Sequence, residues 1–421
     1  MAPTTEYNDS PRHPGLLQPT RQGRIGVIVT ISLASGLVAA LTLVAAPFIP
    51  AKANILTGGV LLGFAFGWAL LAVLSVRFSD QPQRWAAAPA LCFTLAGVIS
   101  LIGSEAVNSV WGWIWPPILL ALVVWIVIRA RQRLRSRTRR WLLYPLLAVL
   151  ALASVGGGYQ TVRESIDATA NPMPGQLIDV GGHRLHLYCT GAGSPTVVLE
   201  PGLGGASSDM TWITAAVARD SRVCVYDRAG RGWSDAADGP QDAAQTTTDL
   251  HTLLDRAHIP GPYVLAGHSF GGLYVLSFAA QYPDQVAGMV LLDSTAPAAA
   301  QTPPTTTRSY SFFGRFSALL PGTVGSFINE FRQGSVAMQQ AASLSDFASK
   351  PLIVITAGRG HDAESMMAQD KLATLSTNSR HRVVADATHQ SLLLDETHAA
   401  AASHAIRDVV TAVRTSQPLP P

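Results

Sequence analysis

Charge is scarce in this chain. Asp, Glu, Lys and Arg make up only 14% of its 421 residues, while 48% are hydrophobic. An ordinary soluble domain carries roughly 25% charged residues, so part of the chain is expected to lie in lipid. Cysteine is scarce too: three cysteines exclude a disulfide-framework miniprotein and a cysteine-rich zinc module. A net charge of +3 is too small to imply a nucleic-acid partner, and no internal repeat is visible. The length allows two or three domains.

Charge is missing altogether from five stretches of the first half: residues 25–49, 55–76, 85–103, 111–128 and 141–158. Each is about as long as the roughly 20 residues that cross a hydrocarbon core as a helix. Buried core helices seldom come five in a row without polar faces. The fifth stretch is short and ends in Ala and Gly, which leaves four spans as the alternative. Ala51-Lys52-Ala53 resembles a signal-peptide cleavage site, but the apolar run before it is longer than a signal core. A transporter or proton pump usually needs an ionisable residue in mid-span; none is present, so the spans are expected to anchor.

The arginines set the orientation. Arg21 and Arg24 precede the first span, and Arg77 and Arg84 flank the loop after the second. Arg129, Arg131, Arg133, Arg135, Arg137, Arg139 and Arg140 follow the fourth. With five spans these loops share one side, and the opposite loops carry only Lys52 and Glu105. The N-terminus is therefore expected in the cytoplasm and everything beyond Gly158 outside. Trp111, Trp113 and Trp115, followed by Pro116 and Pro117, suit a helix start at the outer interface. The expected organisation is a cytoplasmic tail (1–24), a transmembrane helical domain (25–158), a linker (159–175) and a second domain (176–421).

In that second domain short β-branched runs alternate with amphipathic stretches. Strands are expected at 176–180 and 183–189 around a Gly181-Gly182 turn, then at 196–200, 222–226, 263–266, 289–293, 352–357 and 381–384. Helix-length segments such as 246–257 and 272–281 lie between them. A hairpin followed by alternating strands and helices argues an open, mainly parallel sheet covered on both faces.

Gly267-His268-Ser269-Phe270-Gly271 stands between the apolar run 263–266 and the helical pattern that follows. A serine with glycine two residues away on either side, at a strand-to-helix junction, fits a turn that lifts the hydroxyl clear of the sheet at a helix N-terminus. Such a hydroxyl needs a base. His389, just after the last strand, is the best placed; His398 and His404 sit in an alanine-rich helical tail. For the acid, Asp293 ends one strand and Asp362 follows the next; Asp293 is preferred and Asp362 is the alternative. An oxyanion hole needs two backbone donors. The Phe270 amide is one, and the loop Pro201-Gly202-Leu203-Gly204-Gly205 offers the other, at Leu203.

With Tyr226-Asp227-Arg228-Ala229-Gly230-Arg231-Gly232-Trp233-Ser234 ahead of the serine motif, residues from about 175 to 413 resemble the α/β-hydrolase superfamily. The resemblance implies an eight-stranded sheet, a Ser–His–acid triad and acyl transfer through a covalent intermediate. Pro201 departs from it, standing where the oxyanion loop usually begins with His, and the acid position is ambiguous. Ser269 argues against the relatives with an Asp nucleophile, the dehalogenases and epoxide hydrolases. The implied strand order makes the strands of Cys189 and Cys224 neighbours, so a disulfide could form between them in an oxidising compartment; otherwise both are small buried thiols.

Nearly sixty residues separate Asp293 from Leu352, too many for a structureless loop. Beyond Thr302-Pro303-Pro304-Thr305, helical spacing relates Phe312, Phe313, Phe316, Leu319 and Leu320, and again Val324, Phe327, Ile328 and Phe331. A helical cap is expected at about 296–350. The expectation is an integral protein of a bacterial plasma membrane, cleaving a small or lipid-like carboxylic ester or thioester with no cofactor or metal. An acyltransferase on the same residues, and a membrane scaffold or sensor with an inactive domain, are the alternatives.

Overall fold

The computed structural model describes residues 24–46, 48–49, 53–133, 143–237, 239, 241–297 and 322–420. The expectations for the N-terminal tail, for Arg21, Lys52 and the arginines from 135 to 140, for the Thr302–Thr305 linker and for the cap aromatics from 312 to 320 lie outside these residues. Two compact units divide the chain, one drawn mainly from residues before 162 and the other from 162 onward.

The first unit is helical: α1 (Arg24–Ala45), α2 (Ala53–Phe78), α3 (Ala87–Ile102) after a 3₁₀ turn at Arg84–Ala86, α4 (Glu105–Arg133) and α5 (Tyr144–Ala170). Among the described residues, five stretches of 19 to 27 residues are long and apolar enough to cross a membrane. They are apolar outside as well as inside: Val27, Ile31, Leu91, Leu95 and Leu152 are exposed. Small residues bring backbones together. A Cβ on Gly63 would lie 2.5 Å from the Ala40 nitrogen, and one on Gly36 would lie 2.8 Å from the Gly67 Cα.

Two expectations change here. Helix α4 begins at Glu105, so Pro116 and Pro117 lie inside it rather than at its start. Proline has no N–H to give the carbonyl four residues earlier; Thr161 Oγ1 on α5 reaches that carbonyl, Gly112 O, at 3.4 Å. Ser154 donates to Pro116 O at 2.6 Å. The neighbouring helix thus serves the backbone that the prolines disturb. Helix α5 also runs on to Ala170, so 159–170, expected as a non-periodic tether, is helical. Its polar residues continue the turns of the apolar stretch before it.

The second unit is an eight-stranded sheet in the order β1-β2-β4-β3-β5-β6-β7-β8. The strands are β1 (Gln176–Asp179), β2 (Arg184–Thr190), β3 (Val197–Glu200), β4 (Val223–Tyr226), β5 (Tyr263–His268), β6 (Val286–Leu292), β7 (Leu352–Ala357) and β8 (Ser379–Val384). β1–β2 and β2–β4 pair antiparallel, and the others are parallel. Successive side chains of a strand point to opposite faces, and the two cores follow that period. Tyr263 and Leu265 of β5 enter one core with Met289 and Leu291 of β6. Val264, Ala266, Val290 and Leu292 enter the other. Apolar residues on both sides are what a sheet covered on both faces requires.

The helices of this unit are α6 (Thr211–Val217), α7 (Ala243–Arg256), α8 (Gly271–Gln281), α9 (Gly322–Arg332), α10 (Gly334–Ala341), α11 (Ala363–Ala373), the short α12 (Ser391–Leu394) and α13 (Glu396–Thr415). α7, α8 and α10 cover the first face; α6 and α13 cover the second. α7 starts where Asp242 accepts from the Gln245 amide at 2.9 Å, and it buries Leu250, Leu253 and Leu254 on one side. α13 lays the small Ala399, Ala402 and Ala405 against the sheet, with Ile406, Val409 and Val410. Cys189 and Cys224 are direct partners across β2 and β4, with Cα atoms 4.1 Å apart, and form a disulfide.

Candidate active site

β5 ends at His268 and α8 begins at Gly271, so the chain reverses from strand to helix within two residues. Ser269 takes φ = 55° to do it, a conformation that costs a side-chain-bearing residue about 1–3 kcal/mol. The surroundings hold it there. The Ser269 amide donates to Leu292 O at 3.0 Å, and its carbonyl accepts from the amides of Gly272 (3.0 Å) and Thr295 (2.9 Å). The glycines around it are a matter of space. A Cβ on Gly267 would come within 2.7 Å of Gly271 O; one on Gly271, within 2.4 Å of Glu200 O; one on Gly272, within 2.3 Å of the Ser294 Cβ.

The loop after β3 lies directly against this turn. A Cβ on Gly202 would sit 3.1 Å from both the Ser269 Cβ and His268 Nδ1. No described backbone or side-chain group accepts from the amides of Phe270 or Leu203, the two donors expected for an oxyanion.

His389 lies in the loop after β8, its side chain 40% exposed. Its Nδ1–H donates to Asp293 Oδ2 at 2.6 Å, which in the neutral ring leaves Nε2 as the basic nitrogen. Its backbone carbonyl accepts from His268 Nε2–H at 3.0 Å, and the two rings lie 4.5 Å apart. A carbonyl only accepts, so His268 carries its proton on Nε2. Burial, reinforced by the neighbouring His389, pushes His268 down to about 4. It is a neutral strut that ties the His389 loop to the serine turn.

Asp293 follows β6 with φ = 47°, and its side chain is fully enclosed. Besides His389, it accepts from His361 Nε2 at 2.7 Å and from the Ala357 amide at 3.0 Å. Burial alone would raise this carboxyl. The hydrogen bonds from His389 and Ala357, with the imidazole of His361 close by, outweigh it and hold Asp293 below the usual range. Asp362, the alternative acid, is exposed and accepts from the Ser365 amide at 2.8 Å as the cap of α11. Ser365 hydrogen bonds hold it low as well. The structure therefore brings His389 to Asp293, and Asp362 is occupied elsewhere. Among the described residues no group of three or more His, Cys, Asp or Glu could hold a metal ion.

Sequence reasoning missed three residues. His361 appears in the sequence only as a neighbour of Asp362, yet it grips Asp293. Arg228 and Glu330, buried at 5% and 9% exposure, join the glycine loop to α9; the place of Arg228 in a glycine-rich motif was the available signal. Asp227 of the same motif serves structure: it accepts from the amides of Ser207 (2.6 Å) and Trp233 (3.1 Å).

Residues 195–346 match the alpha/beta hydrolase fold family. With the strand order above, that match makes the second unit an α/β-hydrolase fold. Among curated proteins, an uncharacterised protein of Schizosaccharomyces pombe is 32% identical over 151 residues, which is 29% of this chain and 28% of that protein. RutD of Pseudomonas savastanoi pv. phaseolicola, named as a carbamate hydrolase, is 39% identical over 114 residues, 27% of this chain and 43% of RutD. The matches span less than half the length of these relatives. Among solved structures, the enol-lactonase of Burkholderia xenovorans LB400 is 23% identical with a TM-score of 0.43, covering 56% of this chain and all of the enzyme.

Proposed function

We propose that this protein is a membrane-anchored serine hydrolase that cleaves a carboxylic ester or thioester through an acyl-enzyme. The carrying observation is the strained Ser269 turn at the head of α8, tied through His268 to the loop of His389, whose Nδ1 is held by a buried carboxylate. The hydrolase name of one relative supports the broad class.

His389 Nε2 takes the Ser269 proton as Oγ attacks the carbonyl carbon. Negative charge forms on the carbonyl oxygen, where the Phe270 and Leu203 amides stabilise it. The N-terminus of α8 adds a favourable dipole. His389 then returns the proton to the leaving alcohol or thiol. Water, activated by the same nitrogen, releases the acid and restores Ser269. Asp293 holds the ring in the productive tautomer and stabilises the imidazolium.

Five apolar helices support membrane insertion, and the arginines between them support a cytoplasmic N-terminus. The Cys189–Cys224 disulfide suits a domain in an oxidising compartment. The test is hydrolysis of a short nitrophenyl ester by the purified full-length protein. A burst of one nitrophenol per chain, lost in Ser269→Ala, is the expected result. An active Ser269→Ala would overturn the reading; products transferred wholly to an alcohol acceptor in place of water would make the protein an acyltransferase.

A further inference from the structure

Leu203 owes its place to a residue far along the chain. In a trans peptide the C=O and the following N–H point in opposite directions. The Gly202 carbonyl therefore fixes where the Leu203 N–H points. Arg228 Nη2 donates to that carbonyl at 2.6 Å, and Arg228 Nη1 donates to the preceding one, Pro201 O, at 2.8 Å. On the other side of Leu203, the Gly204 amide donates to Glu330 Oε2 at 2.8 Å. Both peptide planes around the oxyanion donor are held, one by Arg228 and one by Glu330.

The two holders grip each other. Arg228 Nε reaches Glu330 Oε1 at 2.8 Å and Nη2 reaches it at 2.6 Å, while Nη1 also reaches Glu200 Oε1 at 2.5 Å. The five guanidinium hydrogens then have acceptors. Arg231 Nη2 meets Glu330 Oε2 at 3.0 Å, so two buried arginines face two buried glutamates. Glu330 lies on cap helix α9, and one turn earlier the same helix presses Phe327 onto Gly204: a Cβ there would be 2.8 Å from Phe327 Cδ2.

We propose that Glu330 is a positioning residue for the oxyanion hole, so that docking of the cap helix completes the hole. The inference rests on the serine-hydrolase reading above. The cap then contributes to kcat and not only to substrate binding.

The test compares the full-length wild type with Glu330→Gln, Glu330→Asp and Phe327→Ala, on a short oxygen ester and the matching thionoester. A thiocarbonyl sulfur accepts hydrogen bonds weakly, so its hydrolysis depends less on the hole. Glu330→Gln is expected to lower kcat on the oxygen ester by about 10²-fold, with KM within about twofold and a smaller loss on the thionoester. Glu330→Asp should recover part of the rate. Should Glu330→Gln fail to fold, Phe327→Ala, which keeps all the charges, is expected to show the same oxygen-over-sulfur loss at smaller size. Equal losses on both substrates, a change in KM alone, or an unchanged kcat would overturn the inference. A wild type with no activity and no labelling by a fluorophosphonate would instead overturn the serine-hydrolase reading, and the inference with it.

Discussion

Asp293 Oδ2 lies 2.6 Å from His389 Nδ1, although 96 residues separate them. The carboxylate reaches the histidine from the end of β6, while the loop after β7 contributes His361 to the same carboxylate. An acid so placed should be indispensable. Asp293→Asn is expected to lower kcat on a short ester by about 10⁴-fold through loss of the tautomer. Asp362→Asn should leave kcat at the wild-type level. The assignment fails if only the second substitution abolishes hydrolysis.

His268 gives the fold a pH dependence of known sign. Its ring is held near 4 by burial, against about 6.5 in an unfolded chain. Between those values the unfolded chain binds more protons, so this contribution is complete above pH 6.5 and drains away as the pH falls towards 4. The loss is on the order of 3 kcal/mol. His268→Gln keeps a donor for the His389 carbonyl but removes the titration. Unfolding free energy measured from pH 6.5 to 4 should therefore fall less steeply in the variant; identical slopes would refute the strut.

Gly272 is required because Ser294 leaves no room for a Cβ. Gly272→Ala should destabilise the domain by about 1–3 kcal/mol. Adding Ser294→Gly removes the obstructing atoms, so the double variant should be more stable than the sum of the singles predicts. Strict additivity in thermal unfolding would show that the crowding is not the cause.

The sidedness proposed for the hydrolase unit has its own check in the cysteines. Maleimide added to denatured protein, prepared without reductant, should modify Cys92 alone. Cys189 and Cys224 should react only after reduction. Breaking that cross-link, whose ends are 35 positions apart in the chain, should cost about 3–4 kcal/mol. Three reactive thiols before reduction would argue for a reducing compartment.

Much of this was legible in the sequence, for identifiable reasons. The short apolar runs of β5 and β6 and the glycines flanking Ser269 are local signals, because a strand buried on both faces and a tight turn are set by neighbours in the chain. The preference for Asp293 over Asp362 also followed from strand ends. Less visible was anything decided between distant segments. Pro116 and Pro117 read as a helix start because the hydroxyl that serves their helix is on α5. Glu330 had no pattern to mark it, since its partners Gly204 and Arg228 lie more than a hundred residues away. His361 had no pattern of its own; only the packing of β6 beside β7 brings it to Asp293.

The most direct test of the account is labelling of intact cells with a fluorophosphonate that cannot cross a membrane, followed by mass mapping of the adduct. One adduct is expected, on Ser269, formed without lysis and absent from Ser269→Ala. An adduct on another residue would contradict the assigned nucleophile. Labelling of Ser269 only after lysis would contradict the outward-facing domain.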